Sequence, residues 1–202
     1  MLAKINPRKL HGPWTGGYAL DVHTTSSTMI GHNAYGHAVF DTVRSPLGEL
    51  LYRLKNRGDQ TAIPEILAAA GEFVKRWAIH VDAIVPVPPS NTARNHQPAI
   101  GVARALRGYL RVPLCEGCLA KIKSTGQLKD VFDYAKRAEI LKDAFSVDAA
   151  KTKSKRLLLI PAGILSLNRH RHHIARLAGD RDAHRHRVPR RRPWRNHHVD
   201  LE

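Results

Sequence analysis

Cysteine is scarce. The 202-residue chain holds two, Cys115 and Cys118, separated by Glu116-Gly117. A structural zinc site takes four ligands, and no second C-x-x-C supplies the other half. The pair reads as two small residues at a strand start, as a redox couple, or as half a metal site completed by histidines elsewhere. Long apolar runs are also missing: no stretch approaches a membrane span, and the first residues lack a secretory signal's apolar core. The expectation is a cytoplasmic chain with no membrane partner. Acids are few, 17 Asp and Glu against 33 Lys and Arg, for a formal net charge of +16. A surface of that sign attracts phosphate, whether on nucleic acid or on a small metabolite, and does not say which.

Lysine is missing from the last part. From Asn168 to His198 there are ten Arg and seven His but no Lys, whereas residues 1–160 use twelve Lys and eleven Arg. Either cation neutralises a phosphate, so a nucleic-acid tail has no reason to exclude one of them. The Arg, His, Pro, Ala and Gly usage reads as GC-rich codons translated in a shifted frame from near codon 161, or else as a genuine basic tail. Both predict a weakly folded segment, with Ile174–Leu177 as at most a turn of helix.

Before that tail the chain alternates helices with short apolar strands. Residues 1–13 are polar and expected to fray. Residues 14–45 read as strands and turns, with a turn at Thr24-Thr25-Ser26-Ser27. Ser45-Pro46 is a helix start, a capping hydroxyl followed by proline in the first turn, and predicts a helix from Leu47 to about Asn56. A second helix is expected over about Ile63–Ala78, where Ile63, Ile66, Leu67, Ala70, Phe73, Val74 and Trp77 follow the helical period. A third covers Pro98–Leu110. Strands are predicted within Asp82–Pro89, running into a proline-stiffened loop, and at Val112–Lys121, Ala144–Val147 and Arg156–Ile160, with a polar loop over 122–136 and a short helix near Ala138–Lys142. That alternation predicts a parallel sheet with helices on its faces and ligands beyond the C-terminal strand ends.

Two loops carry the candidate chemistry. Pro86-Val87-Pro88-Pro89-Ser90-Asn91-Thr92-Ala93-Arg94 leaves a strand end and precedes a helix. Ser90, Asn91 and backbone N–H groups could face an anion there, with Arg94 beside them, as a phosphate or pyrophosphate cradle. It reads equally as an ordinary proline-rich turn. Lys121-Ile122-Lys123-Ser124-Thr125-Gly126-Gln127 flanks a flexible Ser-Thr-Gly segment with long cations. It reads as a hood able to close over a charged substrate, or as a solvated surface loop.

Taken in order, Leu51-Tyr52-Arg53-Leu54-Lys55-Asn56-Arg57-Gly58-Asp59, then Asp82-Ala83-Ile84-Val85-Pro86-Val87-Pro88, Gln97, Lys123-Ser124-Thr125-Gly126-Gln127, Arg137 and Ala144-Phe145 resemble ComF-like phosphoribosyltransferases over about residues 47–160. The resemblance implies an α/β type I phosphoribosyltransferase fold, a parallel sheet with flanking helices and a flexible hood, incomplete here at its C-terminus. It implies phosphoribosyl pyrophosphate (PRPP) or another phosphorylated small molecule as partner, and Mg²⁺. Ser90, Asn91, Arg94, Lys121, Lys123, Thr125 and Gln127 become its substrate-binding candidates.

There are two departures: the N-terminal zinc-binding cysteines of some members are absent, Cys115 and Cys118 lying elsewhere, and the acidic loop is missing. In the resembled family the strand matching Leu157–Ile160 ends in two acids and a Gly/Thr loop that hold the ribose hydroxyls and the 5′-phosphate. Here the chain reads Pro161-Ala162-Gly163-Ile164-Leu165-Ser166-Leu167, without an acid. The expected organisation is a strand-and-turn extension (1–45), the phosphoribosyltransferase-like domain (46–160) and the Arg/His-rich tail (161–202). The expected function is a phosphoribosyltransferase-family protein impaired in catalysis. The alternative is a non-catalytic basic protein whose tail binds nucleic acid without sequence preference, linked to DNA uptake or processing.

Overall fold

The computed structural model describes residues 3–11, 14–77, 80–89, 96–125, 131, 133–161 and 166–170, with Tyr134 and 166–170 by backbone only. The chain begins with strands β1 (Arg8–Lys9) and β2 (Gly16–Ala19), then a ribbon of β3 (Thr24–His32) and β4 (Ala38–Arg44). Helices α1 (Pro46–Asn56) and α2 (Ala62–Trp77) follow, then β5 (Ala83–Pro86) and α3 (Pro98–Leu110). Next come β6 (Leu119–Lys121), α4 (Tyr134–Leu141), β7 (Phe145–Val147), α5 (Ala149–Thr152), β8 (Leu157–Ile160) and β9 (Ser166–His170).

β5 and β8 lie parallel in register, Ala83 beside Leu157 through Pro86 beside Ile160, and every residue of both is buried. Their alternation sends the two sides of the pleat to different cores. Ile84, Leu158 and Ile160 face the helices and meet Leu47, Leu54, Ile66, Val74, Val102 and Leu106. Ala83, Val85, Leu157 and Leu159 face the opposite way, where Cys118, Leu119, Phe145 and Val147 of the β6·β7 side cover them. A sheet buried on both faces explains why these runs are apolar throughout rather than alternating.

The first three helices form where expected. Ser45 Oγ accepts from the Gly48 amide at 3.0 Å, and Pro46 sits in the first turn of α1. The same hydroxyl donates to the Val22 carbonyl at 2.6 Å, tying the helix start to the chain before the ribbon. Gly48 is needed there because a Cβ would fall well inside van der Waals contact distance of the His23 carbonyl oxygen. Burial at Ala62, Ile66, Ala70 and Val74 on α2 and at Ala99, Val102, Ala103 and Leu106 on α3 follows the helical period.

Several expectations need correction. The main sheet is mixed, not parallel: its order is β1-β2-β9-β8-β5, and β9 runs antiparallel to both β8 and β2. Only five residues separate Ile160 from Ser166, too few for a crossover, so the return is antiparallel. Residues 166–170, expected in a weakly folded tail, form that strand. Residues 3–10 do not all fray: β1 pairs with β2, and Ala3 and Ile5 pack on the helical core. The strand expected over Val112–Lys121 is interrupted by the turn between the two cysteines, leaving a Leu114–Ile84 bridge and β6. The helix expected at Ala138–Lys142 starts earlier, because Asp133 caps it by accepting from the Lys136 amide at 3.0 Å.

The turn placed at Thr24–Ser27 is instead strand. The chain reverses at Asn33–His37, where Asn33 Oδ1 accepts from the amides of Tyr35 and His37 at 2.9 and 3.0 Å. Gly36 takes φ +76°, and its amide donates to the Asn33 carbonyl. Tyr18 packs edge-on against Phe73 and Trp77 with ring centres 5.2 and 5.4 Å apart. Leu20, four residues before the ribbon, is fully buried in the helical core.

Candidate functional site at the strand ends

Three segments reach the same sheet edge. The Val87 amide donates to the Ile160 carbonyl at 2.9 Å, carrying the β5·β8 pairing to its last residues. On the other side of β5, the Ile84 amide donates to Pro113 and the Cys115 amide to Ile84, so Pro113–Cys115 also runs parallel. Residues 87–89, 115–118 and 161 therefore leave the sheet together, at the end where open α/β sheets bind ligands. The predicted cradle residues Ser90, Asn91 and Arg94 lie outside the described residues.

The hood candidates divide. Lys121 Nζ donates to Thr125 Oγ1 at 2.7 Å, so these two are together. Lys123 is exposed, and its amide and that of Ile122 donate to the Ala144 carbonyl at the end of the β6·β7 ribbon. Gln127 is outside the described residues. Arg137, part of the family resemblance, donates its Nε to the Val131 carbonyl and so braces the segment before α4.

At the middle segment the cysteines are joined. Cys115 and Cys118 form a disulfide with Cα atoms 5.4 Å apart, Cys118 being buried against β5 and β8. Of the readings open in the sequence, two independent small residues and half a zinc site are not what is observed. Between them, Glu116 receives a bidentate pair from Arg104 of α3, at 2.7 and 3.0 Å, which lowers the pKa of its carboxyl. That pair links the cysteine turn to α3.

Near the start of α3 lies a cleft of about 240 Å³, lined by Leu54, Gln60, Ile63, His96, Gln97 and Arg104 with the first turn of the helix. The Gln60 amide nitrogen stands 3.0 Å from His96 Nδ1 and donates to it. Gly58, at φ +69°, leaves room for the His96 ring, which a Cβ would meet at 2.7 Å. Sequence reading missed this grouping, because nothing in spacing alone connects the turn after α1 to a residue 36 positions later. The cleft can exchange hydrogen bonds with a small ligand over an apolar floor, but its arginine is already neutralised by Glu116.

Two parts of the resembling sequence act as clips. Arg53 donates Nε to Asp59 at 2.8 Å and Nη1 to Glu65 at 3.1 Å. Asp59 also accepts from the Thr61 amide and hydroxyl at 3.0 and 2.5 Å, shaping the entry to α2. These bonds hold the Asp59 carboxyl below its ordinary range. Asp82 accepts from Arg156 three times, from the backbone amide at 2.7 Å, Nε at 3.0 Å and Nη2 at 2.8 Å. Those donors, first the guanidinium and then the amide, pull its pKa to about 2. The pair closes the N-terminal end of β5 and β8, far from the ligand edge.

The Mg²⁺ that the resemblance implies does not fit the described edge. A hard dication takes carboxylate, carbonyl and water oxygens. Residues 87–89 and 161 bring no carboxylate, and Glu116 is committed to Arg104. Among the described residues no group of three or more His, Cys, Asp or Glu is arranged to hold a metal ion. Nor is any described helix long and apolar enough to cross a membrane. The Arg/His-rich stretch beyond His170 lies outside the described residues. Compared with known proteins, the chain matches no family model, no curated protein and no solved structure.

Proposed function

We propose that this chain is a ComF-like phosphoribosyltransferase-type domain that binds PRPP or another phosphorylated small molecule at the shared edge of β5 and β8, and that it is impaired in transfer. One observation carries the reading. β8 lies between β5, to which it is parallel, and the antiparallel β9, and only five residues, beginning with Pro161, separate its end from β9. A strand that matches the acid-bearing one of the resembled family is followed by a sequence, Pro161 to Leu167, that carries no acid. Without acids the ribose hydroxyls lose their carboxylate partners and the 5′-phosphate loses its backbone donors. Losses of positioning or charge stabilisation of that kind commonly cost about a hundredfold or more in rate each. The reading entails a cytoplasmic chain, where PRPP is made and used.

Titration calorimetry with PRPP and with pyrophosphate tests the binding, and a pyrophosphate-release assay over a panel of bases and amines tests the chemistry. Saturable binding, weakened by Arg94→Ala and by Lys123→Ala, with no release, is the expected result. No binding, or binding indifferent to both substitutions, removes the site. Robust turnover removes the impairment. Sequencing the coding DNA adds an independent check: a one- or two-base shift near codon 161 that restores an acidic pair and a Gly/Thr loop fits the reading.

The ten arginines after residue 160 favour a second reading, nucleic-acid binding by the tail. Affinity for any duplex should then fall steeply with salt and rise as histidines charge toward pH 6. Salt-insensitive or sequence-selective binding would count against a charge-only tail.

A further inference from the structure

The β3·β4 ribbon stands apart from both cores. Among the described residues neither strand joins another sheet, and the outer edge of β3 pairs with none of them. Of residues 24–44, all but Gly31, Thr42 and Arg44 are exposed. The exposed set includes Met29, Ile30, Tyr35, Val39, Phe40 and Val43, with Ile30 at 65% and Tyr35 at 85%. Met29 sits directly across from Phe40, making an apolar pair in the middle of the arm.

The base of this arm is fixed. Ser45 bonds Val22 across the two ends of the ribbon, and Gly48 packs on the His23 carbonyl. The Arg44 guanidinium lies 3.8 Å from the centre of the Tyr52 ring and 3.4 Å from Glu49. These contacts aim the arm; they do not cover it. A two-stranded ribbon without a packed face is marginal in water, and long uncharged edges are what natural sheets guard against. β3 has no Lys, Arg, Asp, Glu or Pro in nine residues. Its two register shifts fall at Thr24/Ser26 and Met29/Gly31, which leaves Ser26–Met29 regular and open.

Charge narrows the occupant. In a chain of +16, residues 24–44 hold one acid, Asp41, and one base, Arg44. A neutral arm gives nucleic acid no phosphate partners and an acidic protein no counter-charge, whereas two copies can meet there without repulsion. We propose that the ribbon is a self-association surface. Two copies pair their β3 edges antiparallel about Ser27, which faces its own counterpart with Ser26 across from Thr28, around a two-fold axis perpendicular to the ribbon. The result is a four-stranded sheet with both Met29–Phe40 pairs on one face. Such an interface is isologous and closes at two copies.

Sedimentation velocity of the full chain over a concentration series tests this. The expected result is a monomer–dimer equilibrium that is mostly dimer by about 100 µM, above the micromolar affinities of ordinary interfaces. Ser27→Lys with Thr28→Lys places like charges across the axis and should weaken the dimer tenfold or more without changing the far-UV spectrum. Ser27→Cys should give a disulfide-linked dimer on mild oxidation. A wild-type chain that stays monomeric, a dimer indifferent to the double lysine variant, or open-ended oligomers would each overturn the proposal.

Discussion

β5·β8 and β3·β4 are both paired strands in one chain, yet one pair is wholly buried and the other almost wholly exposed. The difference lies in what surrounds them. β5 and β8 have a helical layer on one face and the β6·β7 side on the other, so each residue can be apolar and each methyl group removed from water counts toward stability. β3 and β4 have only each other. Their regular structure rests on cross-strand contacts such as Ser27–Thr42 and Met29–Phe40, on the Asn33–Gly36 reversal, and on an anchored base. The first pair makes the fold; the second is held out from it.

The largest expected effect is in the buried pair. Leu158, fully buried between Ile84 and the helices, should cost about 2–5 kcal/mol when cut to alanine, because the cavity is walled on every side. Chemical denaturation would read this as a lower midpoint at unchanged slope. Gly48→Ala, at the junction between the two regions, should follow at about 1–3 kcal/mol, since the new methyl meets backbone that cannot swing away. If Gly48→Ala costs nothing, the ribbon base is looser than described, and the comparison loses its fixed point.

The same contrast decided what the sequence made legible. Helical spacing at Ile66, Ala70 and Val74, the Ser45-Pro46 start and the apolar runs at Ile84 and Leu158 all point one way, so core elements could be read directly. Thr24–Ser27 could not, because Ser and Thr serve turns through their hydroxyls and exposed strands through their shape. The better reversal signal was Asn33 with Gly36. The Cys115–Cys118 pairing was one of several open options, because spacing does not fix sulfur chemistry. At the candidate site, Lys121 bonds Thr125, and Ser90, Asn91, Arg94 and Gln127 fall outside the described residues. The Glu116–Arg104 and Gln60–His96 links join segments distant in sequence, and no local pattern encodes them.

A pH experiment sharpens the account of the buried pair. Asp82 is ionised down to about pH 2 in the folded chain because Arg156 donates to it. In the unfolded chain an aspartate titrates near 3.9. Its folded pKa is the lower one, so the unfolded state takes up its proton first as the pH falls. The stabilisation is complete above about pH 4 and is lost between there and about pH 2. Asp82→Asn should lower stability at neutral pH and flatten the slope between pH 4 and 2. Denaturation curves at several pH values would show both. An unchanged acid slope would mean that Arg156 does not hold the carboxylate in solution.

The smallest effect on folding belongs to the ribbon, and its size is the informative part. Phe40 is 53% exposed, and its main neighbour is Met29 across the strand. Replacing it with threonine keeps a strand-favouring side chain and removes one cross-strand apolar contact, worth roughly 0.2–1 kcal/mol. In dilute solution, where the chain is monomeric, thermal unfolding of Phe40→Thr should therefore lie close to wild type. At high concentration the two should separate, because association stabilises the folded state by mass action and the variant forgoes part of it. A gap that widens with concentration locates the role of Phe40 between copies. A gap that is large and concentration-independent would instead mean that the ribbon is packed against its own body, and the contrast between the two strand pairs would fail.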